Sequence, residues 1–170
     1  MIFLLPCFLM AGCGSKKLSK KIAFELLQKQ IPYPRVFEYD IYCSDPEHAR
    51  RLLNAGLETQ GLVNIQRKQK LMDVGKPLIS FTEKAQPYLL PTLEKDKASY
   101  VQKVKLADEE LVEVLYLEEE PISKRMMVEY TIAYKNVTPF ATLVNVDFKA
   151  AQKRTAYLTL WDNQWQIAKK

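Results

Sequence analysis

Beyond Lys97 the hydrophobic period of this chain is two, which restricts its C-terminal half to half-buried β-strands. Ser99–Ala107 and Leu111–Leu117 flank Asp108-Glu109-Glu110, and the acidic triplet reads as the turn of a hairpin. Glu118-Glu119-Glu120-Pro121 ends that pair. In Met127–Tyr134, Val128, Tyr130, Ile132 and Tyr134 share one face. Asn136–Asn145 reads as an irregular crossover, because Pro139 opposes a continuous strand. Arg154–Trp161 alternates Ala156, Leu158 and Leu160 with Thr155, Tyr157, Thr159 and Trp161. Asp162-Asn163 turns the chain, and Trp165-Gln166-Ile167 closes it. The expectation for residues 98–170 is an antiparallel sheet of four or five strands.

The N-terminal half alternates helices with short strands. Ile22, Ala23, Leu26 and Leu27 make an apolar helical stripe over Lys20–Gln30, which Pro32 and Pro34 end. Phe37, Tyr39, Ile41 and Cys43 alternate with polar neighbours, a strand pattern. A helix start follows: Ser44 or Asp45 can cap it and Pro46 suits its first turn. Ala49, Leu52 and Leu53 form its buried face, and Gly56 is a natural stop. Gly61–Arg67 and Leu78–Phe81 read as a hairpin, and Thr82 as the cap of a short helix, Glu83–Leu90, weakened by Pro87. Pro91–Lys97 is a polar connector and the expected boundary between a lobe over 20–90 and one over 98–170. The fold class is therefore α+β.

Within this pattern RRLLNAGLETQGLVNIQ and FTEKAQPYL, inside residues 46–90, resemble the third helix, wing and exit of a winged-helix domain. The resemblance implies a winged-helix-like N-terminal lobe. Tyr33–Tyr42 reads as strand where that family carries its second helix, which argues against groove-type DNA recognition. The ending LTLWDNQWQI is similar to the last hairpin of small periplasmic cone-shaped or cystatin-like α+β domains.

At the other end, Ile2–Ala11 is an apolar run too short to span a bilayer as a helix, which takes about 20 residues. It has the length of a signal-peptide core and closes on Met10-Ala11-Gly12-Cys13. That tetrapeptide resembles the lipobox of bacterial lipoproteins. The resemblance implies a signal peptide over 1–12, acylation of Cys13 by palmitate-like chains, and an acylated tether over 13–19. Gly14 stands where an inner-membrane retention aspartate would, so the resemblance implies an outer-membrane lipoprotein facing the periplasm. Of three cysteines, only Cys43 then remains as a thiol, so no intramolecular disulfide is available.

No constellation for catalysis stands out. The single histidine, His48, lies five positions from Cys43, and strand and helix meet between them, so nearness in sequence does not make a thiol site. Glu118, Glu119 and Glu120 alternate in direction and converge poorly on a cation. The net charge of +5 is spread along the chain, so nucleic acid is not expected, and no cofactor or metal is called for. Arg50 and Arg51 on the helix with Arg67, Lys68 and Lys70 at the hairpin are the candidate docking residues for an acidic protein surface or anionic headgroups. The expectation is a membrane-anchored, non-catalytic envelope lipoprotein that binds another envelope protein or assists an assembly. The rivals are a winged-helix DNA-binding protein, should residues 1–13 not be a signal, and a thiol or hydrolytic enzyme using Cys43 and His48.

Overall fold

A computed structural model describes residues 17–123 and 125–168. The lipobox-like segment and Cys13 lie outside the described residues. In chain order the elements are α1 (Lys20–Gln30), β1 (Arg35–Tyr42), α2 (Pro46–Asn54), β2 (Val63–Ile65), β3 (Ile79–Phe81), α3 (Glu94–Ala98), β4 (Val101–Glu119), β5 (Met126–Lys135), β6 (Gln152–Trp161) and β7 (Gln164–Ile167). Five strands form one antiparallel sheet in the order β1-β4-β5-β6-β7, curled into a half-barrel. β2 and β3 form a separate two-stranded sheet. The α+β class and the antiparallel sheet expected from the two-residue period are both present.

The expected hairpin around Asp108-Glu109-Glu110 is not. Residues 101–119 are one continuous strand, and the acidic triplet lies within it. Two of its three carboxylates are met by neighbours, while Glu110 faces solvent. Asp108 accepts from Lys105 Nζ at 2.7 Å and from Asn136 Nδ2 at 2.8 Å, while Glu109 pairs with Arg35. A turn is not needed to hydrate carboxylates that are already partnered.

β4 also explains why the sheet curls. Pairing of β4 to β1 skips Leu106, since Phe37 opposes Ala107 and Glu38 opposes Lys105. Pairing to β5 skips Val112 and Leu115. Each skip is a β-bulge, which adds a residue to one strand and increases local twist. The bulges reset which residues point inward. Leu111, Val114 and Leu117 lie three apart, out of step with a regular strand. With the bulges absorbed they oppose Ile132, Tyr130 and Val128, the inward face of β5.

Two apolar clusters result. One gathers α1 (Ala23, Leu27) against Ala107, Val114, Val128, Ile132, Ala156 and Leu158. The other gathers α2 (Ala49, Leu52), Leu57, Leu62 and the β2–β3 hairpin against Ile41, Val104, Leu106 and Phe140. Phe37 and Phe148 pack against both. Thus α1 and β1, expected in an N-terminal lobe, belong to the sheet: β1 pairs along β4, and Gln30 at the end of α1 accepts a hydrogen bond from Ile167 N–H in β7 at 2.8 Å. Within the 46–90 segment, the α2–β2–β3 unit lies outside the pairing of the five-stranded sheet but packs on it through Ile41, Val104 and Leu106.

Local signals account for the helix ends. Ser19 caps α1 through a bond from Ile22 N–H at 3.3 Å, and Asp45 rather than Ser44 caps α2 through Glu47 N–H at 2.8 Å. Past α2, Gly56 takes φ +70°. Its N–H bonds Leu53 C=O, and that of Leu57 bonds Leu52 C=O, a Schellman ending. Thr82 does not cap the expected helix. Its hydroxyl donates to Gly61 C=O at 2.7 Å, and Glu83–Tyr88 is a 3-10 segment. At the last hairpin Asp162 and Asn163 both have positive φ, the requirement of a type I′ turn.

Candidate functional site

α2 and β2 form the walls of an open groove of about 380 Å³, with Pro46, Ala49, Leu53, Ile65 and Leu78 as its apolar part. Arg50 and Arg67 both line it, so the structure brings these two predicted residues together. Each has a carboxylate partner. Arg50 reaches Glu47 one turn back at 2.5 Å, and Arg67 pairs with Glu58. Glu58 also accepts from Ile65 N–H at 3.0 Å, and that bond, then Arg67, holds its carboxyl below the ordinary range. Arg51, one residue on and about 100° around the helix, leaves the groove. It donates to the Tyr39 hydroxyl at 3.2 Å and lines a separate depression with Asn54 and Leu143. Lys68 and Lys70 are exposed in the loop beyond β2.

That loop, residues 66–78, carries a feature the charge pattern hid. A 3-10 turn at Leu71–Asp73 holds Leu71, Met72 and Val74 outward, with 91%, 81% and 71% of their surfaces exposed. The loop base is braced. Gln69 donates through its side chain to Lys76 C=O at 3.1 Å, Asp73 N–H bonds Lys70 C=O at 2.9 Å, and Lys76 pairs with Asp73 at 2.8 Å. The sequence signal was present: an apolar Leu-Met and a Val within a basic loop, at positions no strand or helix period claims.

A second cluster was missed altogether. Glu109, 2% exposed, faces inward from β4. The strand register sets Arg35 opposite it on one side and Tyr134 on the other. Arg35 donates to Glu109 Oε2, and Arg154 Nη2 lies 3.9 Å from Oε1 while donating to the Tyr134 hydroxyl at 3.2 Å. The hydroxyls of Tyr33 and Tyr130 are 3.5 Å apart, and the Arg35 guanidinium stands 5.7 Å from the centroid of the Tyr33 ring. Burial pushes the Tyr33 and Tyr134 hydroxyls up from their ordinary range. The arrangement draws on β1, β4, β5 and β6 and clamps them together. The signal that could have found it is the composition of the supposed turn: 108–110 contains no glycine, asparagine or proline.

Cys43 and His48 are engaged separately. Cys43 is buried, its Sγ 3.7 Å from Ile41 C=O, and burial pushes the thiol up to about 11, which keeps thiolate scarce at neutral pH. His48 Nδ1 accepts from Tyr42 N–H at 3.3 Å, and its ring centroid stands 5.8 Å from that of Tyr39 and 5.1 Å from that of Tyr42. Burial first, with Arg51 adding, lowers its pKa; Asp45 opposes the shift. At the end of β4, Glu120 accepts from Ser123 and lies 3.8 Å from Arg125. Among the described residues no group of three His, Cys, Asp or Glu side chains could hold a metal ion. Nor is any described helix long and apolar enough to cross a membrane.

Comparison with protein-family models, with curated proteins and with solved structures finds no match to this chain.

Proposed function

We propose that this chain is a non-catalytic binding protein of a bacterial envelope, held at the membrane by acyl chains on Cys13. It faces the periplasm from the outer membrane and docks another envelope protein. The observation that carries the reading is the order of its N-terminal features. An apolar run ends at Cys13, only a few polar residues follow, and by Leu18 the chain is buried in a folded body. Acyl chains contribute about 0.8 kcal/mol per buried methylene, so two or three hold such a body at a surface without a spanning helix.

The docking element is the α2–β2–β3 unit, read as a winged-helix-like appendage. Its groove supports an acidic segment as the occupant. The floor is apolar, Arg50 and Arg67 flank it, and Lys68 and Lys70 follow in the adjoining loop. Glu47 and Glu58 already hold the two arginines, so a partner carboxylate would exchange for a solvent-screened intramolecular pair.

Metabolic labelling with a palmitate analogue tests the anchor. Cys13→Ser should abolish labelling and release the protein from membranes; retained labelling overturns the lipoprotein reading. Cross-linking in intact cells tests the docking. Arg50→Glu with Arg67→Glu should lose the partner recovered by the unaltered protein, and unchanged recovery would assign both residues to a solvated rim.

A further inference from the structure

We infer that the loop over residues 66–78 is a bilayer-contact element, which seats Leu71, Met72 and Val74 in the interface of an anionic membrane. Single exposed apolar residues are ordinary, but here three fall within four positions at the tip of one loop. None belongs to either apolar cluster, and none lines the groove beside α2. They project from a short turn as a convex tip. A protein partner would need a matching cleft for such a tip, whereas a fluid lipid surface needs no shape complementarity.

Charge selects the kind of surface. Lys68 and Lys70 precede the tip and Lys76 follows it, with Arg67 at the base. The acid within the tip, Asp73, is already paired with Lys76 at 2.8 Å. Lys68 and Lys70 are exposed and have no carboxylate partner among the described residues. An apolar tip flanked in sequence by lysines suits an interface whose headgroups are anionic, since lysine stems lie along acyl chains while the ammonium stays with the headgroups. The bracing of the loop base holds the tip extended before any contact, so little ordering is required on binding.

The inference does not depend on acylation of Cys13 or on a protein partner, and its test contains neither. The full-length Cys13→Ser chain is mixed with vesicles of phosphatidylglycerol and phosphatidylcholine in equal parts, or of phosphatidylcholine alone. Hydroxyl-radical footprinting then reads Leu71, Met72 and Val74 individually, so any contact by the apolar N-terminal run does not mask the loop. The expected result is at least about fivefold protection of the three residues with the anionic vesicles and little with neutral ones, lost at high salt. Lys68→Glu with Lys70→Glu should remove the protection while leaving the thermal melt unchanged, since both side chains are exposed. Equal labelling with and without anionic vesicles overturns the inference. So does protection that appears only with added envelope protein and never with lipid alone, which would make the tip a protein-contact surface.

Discussion

Removing Arg35 and removing Glu109 are not equivalent changes, although the two residues form one ion pair. The Arg35 side chain is 48% exposed and can turn to water, whereas Glu109 is enclosed. Arg35→Met leaves a buried carboxylate with only Arg154 at 3.9 Å, an arrangement that costs about 3 kcal/mol. Glu109→Gln keeps an acceptor in place and frees a guanidinium to solvent, at a cost of about 1 kcal/mol. Urea unfolding of the two variants should reproduce this order; equal losses would mean that the carboxylate is not the buried partner. Cys43 offers a pH-dependent case. Its folded pKa of about 11 lies above the unfolded value of about 8.5. The neutral thiol therefore contributes stability that is fully present below about pH 8.5 and is lost as pH rises toward 11. Cys43→Ala should cost on the order of 1 kcal/mol at neutral pH for the small cavity, and should flatten the alkaline fall in melting temperature. Fast labelling of the native thiol at neutral pH would contradict the burial.

At the scale of elements, legibility in the sequence followed the range of the forces involved. α1 and α2 were readable because a serine or aspartate cap, a proline and an apolar stripe act within a few residues. The hairpin at Asp162-Asn163 was readable for the same reason. β4 was not. Within its acidic triplet, Asp108 and Glu109 are partnered in the strand by Arg35, Lys105 and Asn136, and Arg35 and Asn136 come from distant parts of the chain. Likewise Leu111, Val114 and Leu117 share a face only through bulges that pairing with β5 creates. The basic residues of the candidate site were legible, but their grouping was not. Arg50 and Arg51 are adjacent in sequence and line separate depressions, and the apolar tip between the lysines carried no periodic signal. Asp108 tests the continuity of β4, since it has register partners on both sides, Val36 and Lys135. A proline tolerated at the start of a turn would here remove a strand N–H between two neighbours. Asp108→Pro should lower unfolding free energy by about 3 kcal/mol or more. A variant as stable as the parent in urea would restore the hairpin.

At the scale of the molecule, the question is whether residues 16–95 can fold without the remainder. The seven-residue connector Pro91–Lys97 looks like a boundary in sequence, and the segment before it has its own helices and a hairpin. Its pairing partners lie elsewhere. Every register partner of β1 is in β4, and β4 supplies Val104 and Leu106 to the cluster around α2. α1 packs its Ala23 and Leu27 in a cluster built from β4, β5 and β6. A fragment ending at residue 95 would expose the inner face of α1 and leave β1 without a strand beside it. It would keep only the small core of α2, Leu57, Leu62 and the β2–β3 hairpin, too little to offset the ordering of its backbone. The fragment should therefore show weak, non-cooperative circular dichroism changes on heating. The full chain should melt in a single transition, because β4 runs through both apolar clusters and neither can open without disturbing it. Matching melts by circular dichroism and tryptophan fluorescence would meet the expectation: Trp161 and Trp165 report the β6–β7 end, and the far-ultraviolet signal reports the whole. A cooperative fragment melt that coincides with one phase of a two-phase melt in the full chain would instead mean that α2 and its hairpin form an independent unit, with β1 merely resting on the sheet.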